Sequence, residues 1–223
     1  MIVVGSGLGA GGTPSWGGVT FPASPGGTLT SASCSGISPA AVCVVAGAGT
    51  SLTVNSPLLA FSTTVGGANS WSSPISPIFS PGIFNSVSCS GASPSIVCEA
   101  AGASVTGGSP QVFTPVIAVS TNMGGSNNWA LVPAITGVTT GTFNAASCTG
   151  GLTTAICIAA GRDGNTVPLL VQSVNGASTF TLATFSPALP ANGVFNGASQ
   201  SGGNFRKPYG FENELRDLIY SPE

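Results

Sequence analysis

The chain has 223 residues, 42% of them hydrophobic, enough to bury a core, but only 4% charged, where ordinary domains carry about 25%. A net charge of -2 with one basic residue before position 206 leaves nothing to neutralise a phosphate backbone, which excludes a nucleic-acid partner. There is no His, which excludes Ser/His/Asp and Cys/His nucleophiles, and apolar runs such as AAVCVVAGAG fall short of the about 18 residues of a membrane helix.

The opening, MIVVGSGLGAGGTPSW, sets an apolar run before Gly5, Gly7, Gly9 and Gly12, a spacing similar to a dinucleotide-binding turn. Such a turn needs a helix directly after the glycines and an acid about twenty residues on. Here Thr13-Pro14-Ser15-Trp16 follows, and the first acid is Glu99. Counting back from the tryptophan, Trp16 falls on Trp71, Gly11 and Gly12 on Gly66 and Gly67, and Val3-Val4 on Leu58-Leu59. The opening is therefore read as the first copy of a repeated strand, turn, strand unit, and no cofactor is expected. No Lys or Arg precedes its apolar stretch, so a secretory n-region is not recognisable.

Residues 28–47 (TLTSASCSGISPAAVCVVAG) predict a hairpin that recurs at 82–102 and 141–161. Each copy carries a Cys pair at one spacing: Cys34 and Cys43, Cys89 and Cys98, Cys148 and Cys157. Turns near Ser38, Ser93 and Thr153 put the partners on facing strands, where Cα atoms of a non-hydrogen-bonded pair lie about 4.5 Å apart, within disulfide range. Three disulfides are expected, and with them an oxidising compartment, secreted or at the cell surface. Reduced, buried small hydrophobes are the alternative; a zinc site is opposed by the spacing and the lack of His. Glu99 follows the second cysteine of its copy, where the others have Val44 and Ile158. Strand alternation turns it to the face opposite the cysteine, as a partly exposed position or as a polar contact in a ligand site.

Between the hairpins lie residues 57–71, 115–129 and 168–180, each an apolar strand (PLLAFS, PVIAVS, PLLVQS), a Gly/Asn turn and an aromatic. Trp16, Trp71 and Trp129 recur once per unit and are expected to pack between sheets. Arg162, Asp163, Gly164 and Asn165 fall at a hairpin turn, where Asp-Gly is a common pair. A fourth hairpin begins at 193–203 (GVFNGASQSGG) but has Gln200 in place of the first cysteine and breaks off.

The tail, residues 205–223, holds seven of the ten charges: Arg206, Lys207, Glu212, Glu214, Arg216, Asp217 and Glu223. Phe211, Leu215, Leu218 and Ile219 fall at helical spacing, with Glu212 and Arg216 as an i, i+4 pair. Three readings stay open: a short capping helix, a secretion or partner-docking signal, or an appended end replacing part of a lost unit.

Four short strands per unit, repeating every roughly 50 to 60 residues, predict an all-β chain built as a β-propeller of about four antiparallel blades. A parallel β-helix usually has a much shorter period. The expected units are 1–56, 57–114, 115–167 and 168–205, with 206–223 a separate charged tail. SVNGASTF (173–180) resembles the Asp-box or BNR hairpin, Ser-x-Asp-x-Gly-x-Thr-Trp, of sialidase-like propellers; STNMGGSNNW (120–129) and STTVGGANSW (62–71) resemble it with two extra residues. In that family the Asp bonds turn backbone; Asn175, Asn122 and Thr64 stand at or near its place here, and Asn can make the same bonds. The resemblance implies a propeller but no sialidase chemistry, because residues 1–205 hold one Arg and no Tyr. The expectation is a non-catalytic binding or scaffold protein that contacts a protein partner through loops on one face; the alternatives are a carbohydrate-binding or degenerate sialidase-like propeller with a glycan partner, and a purely structural repeat fragment. One chain closes the ring, or a homo-oligomer completes it.

Overall fold

β-branched and aromatic residues in period-2 alternation, punctuated by Gly, Ser, Asn and Pro, favour short strands throughout. The computed structural model describes residues 2–6, 15–19, 26–36, 41–50, 55–63, 71–72, 79, 81–92, 95–121, 129–151, 153–174, 177–185, 192–199 and 219–222. The strands are β1 (Ile2–Ser6), β2 (Ser15–Val19), β3 (Gly27–Ser35), β4 (Val42–Thr50), β5 (Asn55–Ser62), β6 (Gly82–Ser90), β7 (Val97–Thr106) and β8 (Val112–Ser120). They continue as β9 (Trp129–Leu131), β10 (Gly141–Thr149), β11 (Ile156–Asp163), β12 (Pro168–Val174), β13 (Thr179–Leu182), β14 (Gly193–Gly197) and β15 (Ile219–Pro222).

The described residues are all β. Sheets β6-β7-β8-β9 and β10-β11-β12-β13 are four-stranded meanders in chain order, and β3-β4-β5 is a third that Trp71 extends by bridging Ser62. Two further pairs stand as separate sheets, β1-β2 and β14-β15. Every strand pairing in the described residues is antiparallel, which a parallel β-helix cannot supply. The sheets are cut in a different phase from the sequence units: the strands of 57–114 are divided between two sheets, since β5 pairs with β4 whereas β6 opens the next sheet.

The opening is a strand, a loop and a second strand. Its register pairs Gly5 with Trp16, as Ser62 pairs with Trp71. That connection is two residues longer than its counterpart (11 positions against 9), so matching the pairs sets Val3-Val4 on Ala60-Phe61, not on Leu58-Leu59. At the other end, the helical spacing of the tail does not extend to Ile219, which opens a strand paired with β14. The ladder's hydrogen bonds decide that local choice. Phe211, Leu215 and Leu218 lie outside the described residues.

Each first strand carries the same irregularity. The ladders of β3 on β4, β6 on β7 and β10 on β11 shift register between Leu29 and Ser31, Phe84 and Ser86, and Phe143 and Ala145. Opposite the residue before each shift stands a glycine: Gly47, Gly102 and Gly161. A Cβ on any of them would come 2.0 Å from a backbone carbonyl oxygen, of Thr28, Ile83 and Thr142 respectively. The bulge passes through Thr30, Asn85 and Asn144, whose side chains bond across to the next sheet. Thr30 Oγ1 donates to Phe84 O at 2.7 Å, Asn85 Nδ2 to Phe143 O at 2.7 Å, and Asn144 Nδ2 to Phe195 O at 3.3 Å.

A first strand has a partner on one edge only, and its other edge presents unpaired N–H and C=O groups. For β6 and β10, serines of the preceding sheet take up the outward amides. Val87 N and Cys89 N donate to the hydroxyls of Ser31 and Ser33, at 3.1 and 2.9 Å. One sheet further on, Ala146 N and Cys148 N donate to Ser86 and Ser88, at 3.0 and 2.9 Å. Ser35 and Ser90 then donate to Gly91 O and Gly150 O. The alternating serines of TSASCS and NSVSCS are thus edge-to-edge connectors.

Between the sheets lie the cores. Val42, Val44, Ala46 and Leu59 meet Phe84, Val87, Cys98, Ala118 and Trp129. Val97, Ala101, Ile117 and Val119 meet Phe143, Cys157, Ala159, Leu169, Val171 and Phe180. Ile158, Ala160 and Leu170 pack on Phe195 of β14. Central strands such as β7 are buried on both faces, so they read as continuous apolar runs.

The close approach at the bulge predicts a steep contrast between two glycines. Gly102→Ala should cost about 1 to 3 kcal/mol, as overpacking against rigid backbone does. Gly108→Ala, with open space around it, should leave the chemical denaturation midpoint within about 0.5 kcal/mol of wild type.

Candidate functional site

All six cysteines are joined in the expected pairs, Cys34–Cys43, Cys89–Cys98 and Cys148–Cys157, with Cα atoms 4.0 to 4.1 Å apart. Each closes a hairpin loop of about ten residues, worth about 2 to 3 kcal/mol on the chain-entropy account and less here because the hairpin is already local. Three intramolecular disulfides suit an oxidising, extracellular environment.

The disulfide is the start of a row across each sheet. Cys43 pairs with Ser62, and Ser62 with Trp71; Cys98 pairs with Ser120, and Ser120 with Trp129; Cys157 pairs with Ser173, and Ser173 with Phe180. Trp71 and Trp129 are buried, and Trp129 lies in the core between two sheets. Trp16's side chain lies outside the described residues. So do Asn175, Asn122 and Thr64, the residues of the Asp-box resemblance that would bond the turn. The row was not legible from the sequence, although Ser followed by an aromatic seven or nine positions on was the available signal.

Glu99 is the exception in this pattern. Partial exposure was expected for it; it is fully buried instead. The reason is that β7 is sandwiched, with one sheet on the face of Cys98 and the next on the face of Glu99. At the equivalent seat Val44 packs with Cys89 and Cys98 of the following sheet, and Glu99 likewise meets the following sheet's disulfide. Its cross-strand neighbours are Ser88 and Val119. Its Oε2 lies 3.5 Å from Sγ of Cys148, and its Oε1 is buried without a hydrogen-bond partner. A disulfide sulfur carries no hydrogen, so this contact is a hydrogen bond only when the carboxyl is protonated and donates. Burial pushes the Glu99 carboxyl well above the usual carboxylate range, because charge is costly to hold in an apolar interior.

Ligand atoms of Glu99, Cys148 and Cys157 lie within 4.8 Å of one another. With the sulfurs bonded to each other no thiolate is offered, and the set as it stands does not suit a cation. Arg162 and Asp163 end β11, and of the four residues expected at the turn only Gly164 and Asn165 form it. There Asp163 Oδ1 accepts the N–H groups of Asn165 and Val167, both at 2.8 Å, and Thr166 takes a positive φ of 63°. Both charges are half-buried at the strand end, and Asp163 shapes the loop. Among the described residues no helix is long and apolar enough to cross a membrane.

No family model, curated protein or solved structure matches this chain.

The buried carboxyl fixes the sign of a pH dependence. Raised in the folded state, it makes the native protein bind a proton that the unfolded chain has released. Stability therefore falls as pH rises from the unfolded value of about 4.5 towards the folded one, by about 1.4 kcal/mol per pH unit at most, and then levels. Thermal melts across pH 4 to 8 should show this decline in wild type, and it should be absent in Glu99→Val, which is the more stable form at pH 8.

Proposed function

We propose that the chain is a non-catalytic binding or scaffold β-propeller, exported or surface-exposed, that engages a protein partner through the loops at one end of its sheets. The observation that carries the propeller reading is the repeated offset of the serine contacts. Ser31 to Val87 and Ser33 to Cys89 at one interface recur as Ser86 to Ala146 and Ser88 to Cys148 at the next. One packing relation applied twice supports a rotation repeated from sheet to sheet, as four-stranded blades around an axis with their first strands innermost would require.

The terminal pairs suit the fourth place in such a ring. β14 and β15 shift register between Phe195 and Gly197, as the first and second strands of each sheet do after their Leu or Phe. β1 and β2 pair Gly5 with Trp16, as third and fourth strands do with their serine and aromatic. Joined edge to edge, within one chain or between two copies, these halves would make a sheet of the common order.

A meander places the connections after first and third strands at one end. There Ser35 and Ser90 tie successive turns together through Gly91 O and Gly150 O. Residues 36–41, 91–96 and 150–155, together with 63–70, 121–128 and 175–178, contain no charged side chain and are rich in Gly, Ser, Thr and Asn. Loops of that composition offer adaptable neutral hydrogen bonding, the chemistry that antibody loops use towards protein surfaces.

The test places a charge on that end. With the protein partner captured from a surface-protein extract and then purified, Thr121→Arg and Thr153→Arg, both exposed positions, should weaken its binding by at least about tenfold, since an unpaired charge must be desolvated. Gly108→Arg, at the opposite end, should not. Equal binding by all three variants would contradict the assignment of the face. Saturable binding to a glycan array that is lost in the same two variants would favour a carbohydrate partner.

A further inference from the structure

The contacts between first strands follow one rule, and the rule leaves β14 and β3 with groups to spare. At a completed contact, the residue at the bulge donates to a carbonyl of the next first strand, and a serine three residues on accepts an amide. Thr30 donates to Phe84 O and Ser33 accepts the N–H of Cys89; Asn85 donates to Phe143 O and Ser88 accepts the N–H of Cys148. In β14 the bulge residue is Asn196, and Ser199 stands three residues on. Both are exposed, and neither side chain has a hydrogen-bond partner among the described residues.

β3 carries the complement. Leu29 precedes its bulge as Phe84 does, and Cys34 lies opposite Cys43, with Cα atoms 4.0 Å apart, as Cys89 lies opposite Cys98 at 4.1 Å. So close a pair exchanges no ladder bonds, and Leu29 O and Cys34 N therefore point away from β4, as Phe84 O and Cys89 N point away from β7. Among the described residues no sheet covers them. Ala32 and Cys34 are exposed, where their equivalents Val87 and Cys89 are buried. The apolar cluster behind them, Cys43, Val45, Ala60 and Trp71 with Leu29, is drawn from its own sheet alone. Cys98 and Ala100 instead share a cluster with Val42, Val44 and Ala46 of the sheet before. Nor does the chain bring its own two ends together: β14 packs on β10, β11 and β12, and β3 on β6, but β3 and β14 do not pack on each other as successive first strands do.

We infer that β14 of one copy docks on β3 of a second copy, head to tail, with Asn196 Nδ2 donating to Leu29 O and Ser199 Oγ accepting the N–H of Cys34. The open edge calls for a bulged strand with a donor at the bulge and a hydroxyl three residues on, and β14 has both unused. The second copy also brings β1 and β2, which precede β3 in the chain as β8 and β9 precede β10, to serve as third and fourth strands beside β15. Such a contact joins unlike surfaces, so it closes on itself only if its rotation does. Closure by two copies rests on the propeller reading; the contact itself does not.

The test is native mass at rising protein concentration. Wild type should associate, and Ala32→Arg and Ser199→Arg should each raise the concentration of half-association by at least about a hundredfold, because each buries an unpaired charge in the contact. Both positions are exposed in the single copy, so both variants should melt as wild-type monomer does. Mixed in equal amounts, the two variants should recover one intact contact and form a mixed pair, weaker than wild type because one contact serves instead of two. Thr121→Arg, in a loop, should associate as wild type does. A mass that stops at two chains supports the contact and the ring together; an open series of masses abolished by either variant supports the contact and contradicts the propeller. A wild-type monomer at every concentration, or two variants that do not complement each other, would overturn the proposal and leave the propeller reading standing.

Discussion

The arrangement depends on how the free edges of the first strands β6 and β10 are satisfied. An edge strand with unpaired amides invites pairing with other chains, and proteins manage that hazard by covering, bending or charging the edge. This chain has almost no charge to spend there. It uses serine hydroxyls from the preceding sheet, which accept the outward amides of Val87 and Cys89, and then of Ala146 and Cys148. Because the donors are backbone groups at fixed intervals, these bonds fix the lateral register of neighbouring sheets more tightly than apolar packing can. The glycine at each bulge belongs to the same device. Gly47, Gly102 and Gly161 let the chain close up so that Thr30, Asn85 and Asn144 reach the next sheet.

Burial on both faces explains why so uncharged a sequence builds this fold and why the one acid buried among the described residues stands out. Central strands β4, β7 and β11 are covered by sheets or loops on each side, and Val44 and Ile158 show what such a seat ordinarily holds. Placing Glu99 there costs stability at neutral pH. There its carboxyl lies against Sγ of Cys148, as Val44 lies against the next disulfide from the equivalent seat.

Much of the fold was legible in the sequence because the repeat exposes its own rules. The Cys pairs gave facing strands and their bridges, and the spacing from Ser to Trp gave a hairpin at the end of each sheet. The phase of the sheets was not legible: PVIAVS could follow its neighbour on either side, and only the hydrogen bonds of β8 with β7 decide. The serine contacts were invisible for a similar reason, since alternating Ser in a strand reads as a solvent face until another edge is known to lie against it. Glu99 was singled out correctly by its departure from Val44 and Ile158, but alternation alone turned it towards water. Alternation names a face without saying what covers it. Ile219 fell at helical spacing in the tail, a spacing that a short apolar stretch satisfies equally well as a strand.

The central claim, that serine hydroxyls hold the first strands of successive sheets together, is tested most directly by amide hydrogen exchange at Cys89, read residue by residue by NMR. This amide has no partner within its own sheet. The account predicts slow exchange in wild type, comparable to that of amides inside the β6 and β7 ladder, and faster exchange at Cys89 alone in Ser33→Ala. Exchange at Cys89 as fast as at an exposed turn in wild type, or protection that survives loss of the Ser33 hydroxyl, would contradict it.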